Sequence, residues 1–160
     1  MLILDTCSWF KVRHLKEIKI LDLLPIIYQS NLWSTHELLF EYRHFLEGFL
    51  DFSKFSILSV NLTFVRDCTE KELDDADLSL IEFGRRNPQA VIICDDDDTL
   101  ICCKFFKIKC FQLSEFLLFL VSQDVISKRE AYHSIKPLRD WNNIGKKHFK
   151  SLKVQLQEMT

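Results

Sequence analysis

Short apolar runs alternate with longer stretches of helical periodicity along most of this chain of 160 residues. Leu2 to Asp5 predicts a first strand. Apolar positions at Leu15, Ile18, Leu21 and Leu24 then follow a helical spacing that ends near Pro25, and Asn31 to Ser34 predicts a second strand. Ser34 or Thr35 caps the next helix, whose apolar side carries Leu38, Leu39, Tyr42, Phe45, Leu46 and Phe49. Ile57 to Val60 is a third strand. A helix from about Lys71 to Arg86 turns Leu73, Leu80, Ile81 and Phe83 inward and stops before Pro88, and Ala90 to Cys94 follows as a strand. Leu100 to Phe106 predicts a short helix, Ile108 to Phe111 a last strand, and Ser114 to Val121, Ser127 to Trp141 and Ile144 to Leu156 three further helices. This alternation predicts a three-layer α/β/α sandwich around a mainly parallel sheet, with a helical C-terminus.

Length fits one domain, read as a catalytic part over 1–125 with basic helices over 126–160 packed on it. Three Gly and three Pro argue for long regular elements and short loops, and the 14 Phe are expected largely to fill the core. A net charge of −2 neither commits the chain to nucleic acid nor excludes it. Its distribution is more telling. Between Lys128 and Lys153 eight basic residues face two acidic ones, whereas Asp67 to Asp98 is acidic. Six cysteines occur without a C-x-x-C pair, which points to buried thiols in a reducing compartment rather than to zinc or disulfides. Asp5 interrupts the N-terminal apolar segment and no apolar run reaches the roughly 20 residues of a membrane span, so a cytoplasmic location without membrane contact is expected.

The chemistry concentrates in Val91 to Leu100, where an apolar strand leads into Asp95, Asp96, Asp97 and Asp98. Adjacent carboxylates repel one another, and they persist where water, cations or a need for oxygen ligands relieves the repulsion. The chain begins with the same arrangement, Met1 to Leu4 ending at Asp5. In an open parallel sheet the C-terminal strand ends gather distant residues, so Asp5, Glu41, Asp77 and one or more of Asp95 to Asp98 can reach one place. A hard divalent ion held there would acidify a bound water and steady a phosphodiester under attack. Taken singly, Asp5 also reads as a cap, Glu41 as a solvated face, Asp77 as a favourable helix-start charge, and the aspartate run as a turn.

Together these residues resemble the PIN domain, a family of small metal-dependent nucleases. The resemblance rests on Leu2-Ile3-Leu4-Asp5-Thr6, on Ser34-Thr35-His36-Glu37-Leu38-Leu39-Phe40-Glu41-Tyr42, on Asp75-Ala76-Asp77-Leu78-Ser79-Leu80-Ile81, and on Val91 to Leu100 followed by Phe111-Gln112-Leu113-Ser114-Glu115-Phe116, over about residues 1 to 120. It implies a PIN-like fold and RNA cleavage with Mg²⁺ or Mn²⁺, as a toxin of a toxin–antitoxin pair or in RNA processing. The implied catalytic set is Asp5, Glu41, Asp77, Asp95 and Asp96, with Asp5, Asp77, Asp95 and Asp96 on the metal and Thr6 and Asp97 supporting them. A one-residue shift would favour Asp96 and Asp97. Cys94 stands where the family has a hydroxyl. Ser8 can steady Asp5 or cap the following turn.

Asp95 to Leu100 also satisfies the D-x-D-x-T-L signature of haloacid-dehalogenase-type phosphatases, but only 60 residues follow and they hold no acidic pair. A phosphoacceptor of the receiver type would need an acidic pair where Asp5 stands alone. The remaining rival is a weak or inactive PIN-like module that binds RNA or protein through its basic helices, with Lys128, Arg129, Lys136 and Arg139 on phosphates and Tyr132 or Trp141 on bases. An antitoxin-like partner and a homodimer are both compatible with this sequence. Clustered carboxylates also predict activity that rises with pH through the weakly acidic range.

Overall fold

Parallel strands covered on both faces need apolar side chains at every position, and the central strands here have them. In the computed structural model, which describes residues 1–141 and 144–159, the buried strand β1 (Leu2–Leu4) pairs in parallel with β4 (Val91–Ile93), Leu2 opposite Val91 and Leu4 opposite Ile93. On its other side β4 pairs in parallel with β5 (Cys110–Phe111). A second parallel pair, β2 (Trp33–Thr35) with β3 (Ser56–Leu58), adjoins β1. Leu2 forms a parallel bridge with Leu32, and its N–H donates to the Asn31 carbonyl at 2.8 Å. The protein is thus α/β, with a three-stranded parallel sheet beside a two-stranded one. Because all five strands run the same way, their C-terminal ends share an edge.

Nine α-helices occur among the described residues: α1 (Thr6–Glu17), α2 (Leu24–Tyr28), α3 (His36–Phe45), α4 (Thr63–Cys68), α5 (Asp75–Arg86), α6 (Asp97–Phe105), α7 (Leu113–Ser122), α8 (Lys128–Asp140) and α9 (Lys146–Glu158). Buried apolar residues from Leu2 to Leu156 form a single cluster, so α8 and α9 share the core of the rest. The most buried helix is α5, where Ala76 and every residue from Leu78 to Gly84 are covered. Gly84 is required by space. A Cβ there would lie 2.6 Å from both Ile92 Cδ1 and Ile108 Cγ2, so α5 rests directly on β4.

Several boundaries differ from expectation. Pro25 opens α2 instead of ending the first helix, because a first-turn position needs no N–H; α1 has already stopped at Glu17. The third helix stops at Phe45, short of Phe49, with Gly48 at φ 76° just beyond. Asp96 starts α6 at Asp97, a turn earlier than Leu100. Helix α4 was not expected at all; only Val65 of its six residues is buried, which leaves no periodic signal. The phenylalanines also depart from expectation: Phe10, Phe40, Phe45, Phe64, Phe105, Phe111 and Phe119 are exposed, and the interior is mainly Leu and Ile around Trp9, Tyr42 and Phe83.

With so few glycines, left-handed helix ends fall to other residues. Lys19 (φ 56°), Lys107 (φ 57°) and Asp124 (φ 55°) occupy that region. Each is followed by an N–H that reaches back across the last turn: Ile20 to Leu15, Ile108 to Cys103, Val125 to Leu120.

Candidate active site

Helix caps bring the acids to the shared edge. Asp5 follows β1 and caps α1, its Oδ1 accepting the Ser8 N–H at 2.6 Å, while its Oδ2 accepts the Asp95 N–H at 3.0 Å. One carboxylate thereby ties the ends of β1 and β4 together, and it is 3% exposed. Thr35 closes β2 and caps α3 by accepting the Leu38 N–H at 3.2 Å. Two turns in, Glu41 accepts a hydrogen bond from the Thr6 hydroxyl. Asp74 caps α5 through the Asp77 N–H (2.9 Å), and Asp96 caps α6 through the Thr99 N–H (2.8 Å). Caps favour Asp and Thr because their side chains satisfy the first free N–H groups, and the positive helix end tolerates their charge.

Hydroxyls lock these helices together. Ser79 donates to the Ala76 carbonyl at 2.7 Å, so Thr35 is the donor in its 2.6 Å bond to Ser79, and α3 is fastened to α5. The Tyr42 hydroxyl, buried beneath the site, donates to the Leu4 carbonyl just before Asp5.

The electrostatics show which acids meet. Burial, then the charge of Asp74, push the Asp77 carboxyl up to about 7 against a Thr99 hydrogen bond, and the charges of Asp96 and Asp5 raise it further. Glu41 is raised as well, by burial and by Asp74 and Asp5, against the Thr6 hydroxyl. Cys7, an exposed residue after Asp5, has its thiol pushed to about 11, mainly by burial of the sulfur, then by Asp5 against Lys11 and further by Asp77 and Asp96. Asp5, Glu41, Asp77 and Asp96 form no salt bridge among the described residues. The charge of Asp5 acts on both Glu41 and Asp77, and that of Asp96 acts on Asp77. Beside them a hollow of about 480 Å³ is lined by Glu41, Asp74, Asp75, Phe40 and His44, among others.

Not every expected residue joins them. Asp95 is matched within the protein: its side chain, 4% exposed, pairs with Lys11 at 3.2 Å, accepts the Ser8 hydroxyl at 3.0 Å and lies 3.4 Å from the Leu113 N–H, and its carboxyl is raised by burial and by the charge of Asp5 against Lys11. Thr6, expected to support Asp5, serves Glu41 instead. Asp97 is exposed in the first turn of α6, and Asp98 pairs with Lys71. Cys94 is buried, its sulfur 3.8 Å from the Asp96 carbonyl. Two participants had been given only a helix-start role or none: Asp74, whose charge reaches both Glu41 and Asp77, and Lys11, the partner of Asp95. For Asp74 the signal was present, an Asp three residues before Asp77 at a helix start.

The basic helices run from one edge of the sheet to the other. Lys128 donates to the carbonyl of Met159, near the end of α9, and Gln155 of that end lines a cavity with Met1 and Asn31, which precede β1 and β2. At the other end of α8, Trp141 packs against His14 of α1. Of the four basic residues expected on RNA, Lys128 and Arg129 therefore lie toward the edge away from the acids, and Arg139 lies toward them, its guanidinium 4.9 Å above the Phe149 ring. Lys136 is exposed between.

Comparison with known proteins gives no match: no family model, no curated protein and no solved structure is significantly similar to this chain. No helix among the described residues is long and apolar enough to cross a membrane. The acidic side chains at the edge offer only oxygen donors, and the buried Thr99 hydroxyl lies beside Asp77. That set fits a hard cation such as Mg²⁺ or Mn²⁺, which keeps several waters and takes few carboxylates. Among the described residues no three His, Cys, Asp or Glu side chains are drawn together as a ready-made metal cage.

Proposed function

We propose that this chain is a PIN-like metal-dependent ribonuclease, its helices layered around the sheet in the three-layer manner of that family. The observation that supports the proposal is that the charge of Asp5, at the end of β1, acts on Glu41 and Asp77 and that of Asp96 on Asp77, with no salt bridge from any of the four to a protein cation among the described residues. Asp5, Asp77 and Asp96 would hold Mg²⁺ or Mn²⁺, and Asp95 serves mainly to seat Lys11 and the β4 turn. When bound, the ion supplies positive charge at the phosphodiester and makes water a better nucleophile at neutral pH. The chain's own part is positional. Caps and the Thr35–Ser79 bond fix the acids, Thr6 orients Glu41, and Glu41, with its raised affinity for protons, takes a proton from the attacking water.

The proposal is tested on a fluorescent single-stranded RNA. Hydrolysis is expected with Mn²⁺ or Mg²⁺, lost in EDTA and lost in Asp77→Asn. Equal cleavage in EDTA, or by the variant, refutes it. A second reading, an inactive RNA- or protein-binding module, is favoured by one observation, the commitment of Asp95 to Lys11, which removes one expected ligand. RNA binding without any metal-dependent cleavage would select that reading. Whether the protein acts as a toxin under an antitoxin-like partner or in RNA processing is part of the same proposal, and co-purification with a neighbouring small protein would favour the first.

A further inference from the structure

Beside the acid cluster, on the far side of Cys7, lies a second hollow of about 530 Å³. Its size falls within the roughly 300–1,000 Å³ of small-ligand clefts. We infer that it is a stacking subsite for one nucleobase of a single-stranded RNA, with Arg13 beside the flanking phosphate. The inference rests on the nuclease reading for its choice of ligand and deepens it.

Four observations carry it. First, the hollow adjoins the candidate active site, since Cys7 lines it and its sulfur feels the charges of Asp5, Asp77 and Asp96. Second, it offers flat rings. Phe10 is 41% exposed on the outer face of α1, and Trp141 stands at the rim with its ring centroid 3.5 Å from that of His14, edge to face. An exposed ring gains nothing for the core, whereas every base has a π-face to lay on it. Third, the sign of charge changes here. The acid-lined hollow carries Glu41, Asp74 and Asp75, but this one carries Arg13 and His14 against Glu17, with Lys11 at its wall already matched to Asp95. Arg13 meets Glu17 through Nε at 2.7 Å, and among the described residues its two terminal nitrogens have no further partner, leaving them to a phosphate. Fourth, the rings continue: Phe10 meets Phe45 at 6.0 Å between centroids, so an aromatic stripe crosses α1 toward Phe40, which is 78% exposed.

A strand laid along this path would place one base in the cationic hollow and its neighbouring phosphate over the acids. Exposed rings beside the unpartnered terminal nitrogens of Arg13 favour nucleic acid over an apolar protein segment, which would cover those nitrogens without offering them an acceptor.

The test uses the whole protein in EDTA with a 2′-O-methyl RNA decamer, which resists hydrolysis, so that binding is read apart from catalysis. Trp9 is buried, leaving Trp33 and Trp141 to respond to solvent. We expect the decamer to quench tryptophan fluorescence, Trp141→Phe to abolish most of the quench, and Phe10→Ala to weaken binding about fivefold or more. Arg13→Ala should lower the salt dependence of the affinity by about one phosphate contact. Unchanged affinity in both Phe10→Ala and Arg13→Ala overturns the inference. So does loss of binding confined to a Lys128→Ala, Arg129→Ala double variant, which would put the RNA at the other edge. No binding by the parent together with a dimer that Phe10→Ala dissociates also overturns it and gives the face to a second copy. Decamer binding as expected, in a protein that cleaves no RNA with any metal, leaves this subsite standing and removes the nuclease.

Discussion

Two of the carboxylates on helix α5, Asp77 and Glu82, lie less than two turns apart and are treated in opposite ways. Glu82 is fully buried, yet Arg85 grips it with two nitrogens at 2.8 and 2.9 Å and Arg86 with a third at 2.5 Å. Burial alone would raise its carboxyl, but the two arginines outweigh that and hold it below the usual range. Asp77, in the first turn, has acids where Glu82 has arginines, and its carboxyl is driven up to about 7. The same contrast recurs between Asp95, matched to Lys11, and Asp96, matched to none among the described residues. Asp95 and Glu82 are neutralised within the fold, whereas Asp77 has a raised carboxyl and no cationic partner among the described residues.

The largest expected effect breaks the unneutralised side. Asp5→Asn should lower metal-dependent RNA cleavage by at least 100-fold in a single-turnover assay, since both carboxylate oxygens hold strand ends and the charge is lost with them. On the neutralised side, Lys11→Met should destabilise the protein by about 3 kcal/mol in urea unfolding, because it strands a buried Asp95 charge, and adding Asp95→Asn should recover most of it.

A subtler contrast appears in the absence of metal. Asp77 binds its proton more tightly folded than unfolded, so its contribution favours the native state at acid pH and is lost as pH rises from about 4 to about 7. Asp77→Asn should therefore stabilise the metal-free protein at pH 8 by about 1–2 kcal/mol, allowing for the water that reaches the group, and by little at pH 4. Glu82→Gln should do the reverse, costing about 1 kcal/mol at neutral pH with the loss fading as pH falls below the carboxylate range. Melting curves at the two pH values measure both. The smallest effect lies outside either group: Lys107→Gly should add about 0.5–1 kcal/mol by relieving the left-handed backbone.

Much of this arrangement is legible in the chain. Strands β1 and β4 announce themselves as apolar runs leading to aspartates, and the charge of Asp5 reaches Glu41 and Asp77 while that of Asp96 reaches Asp77. Asp95 was not legible because pattern alone cannot tell which of four successive aspartates points inward; that depends on the Asp5 bond to the Asp95 N–H and on Lys11 one turn along α1. The exposed phenylalanines were misread for a related reason. Composition counts rings without saying which helix face they occupy, and half of them lie outside.

Gly84 gives the comparison a mechanical side. It sits seven residues beyond Asp77 on the same rigid rod, about 10 Å away, at the point where α5 bears on β4. A single methyl group there would pry the rod off its bearing and swing the opposite tip, carrying Asp77 out of step with Asp5 and Asp96. The seating of α5, and with it the placement of Asp77, depends on a buried contact remote from the strand edge, and variation at position 84 would be felt there as lost alignment.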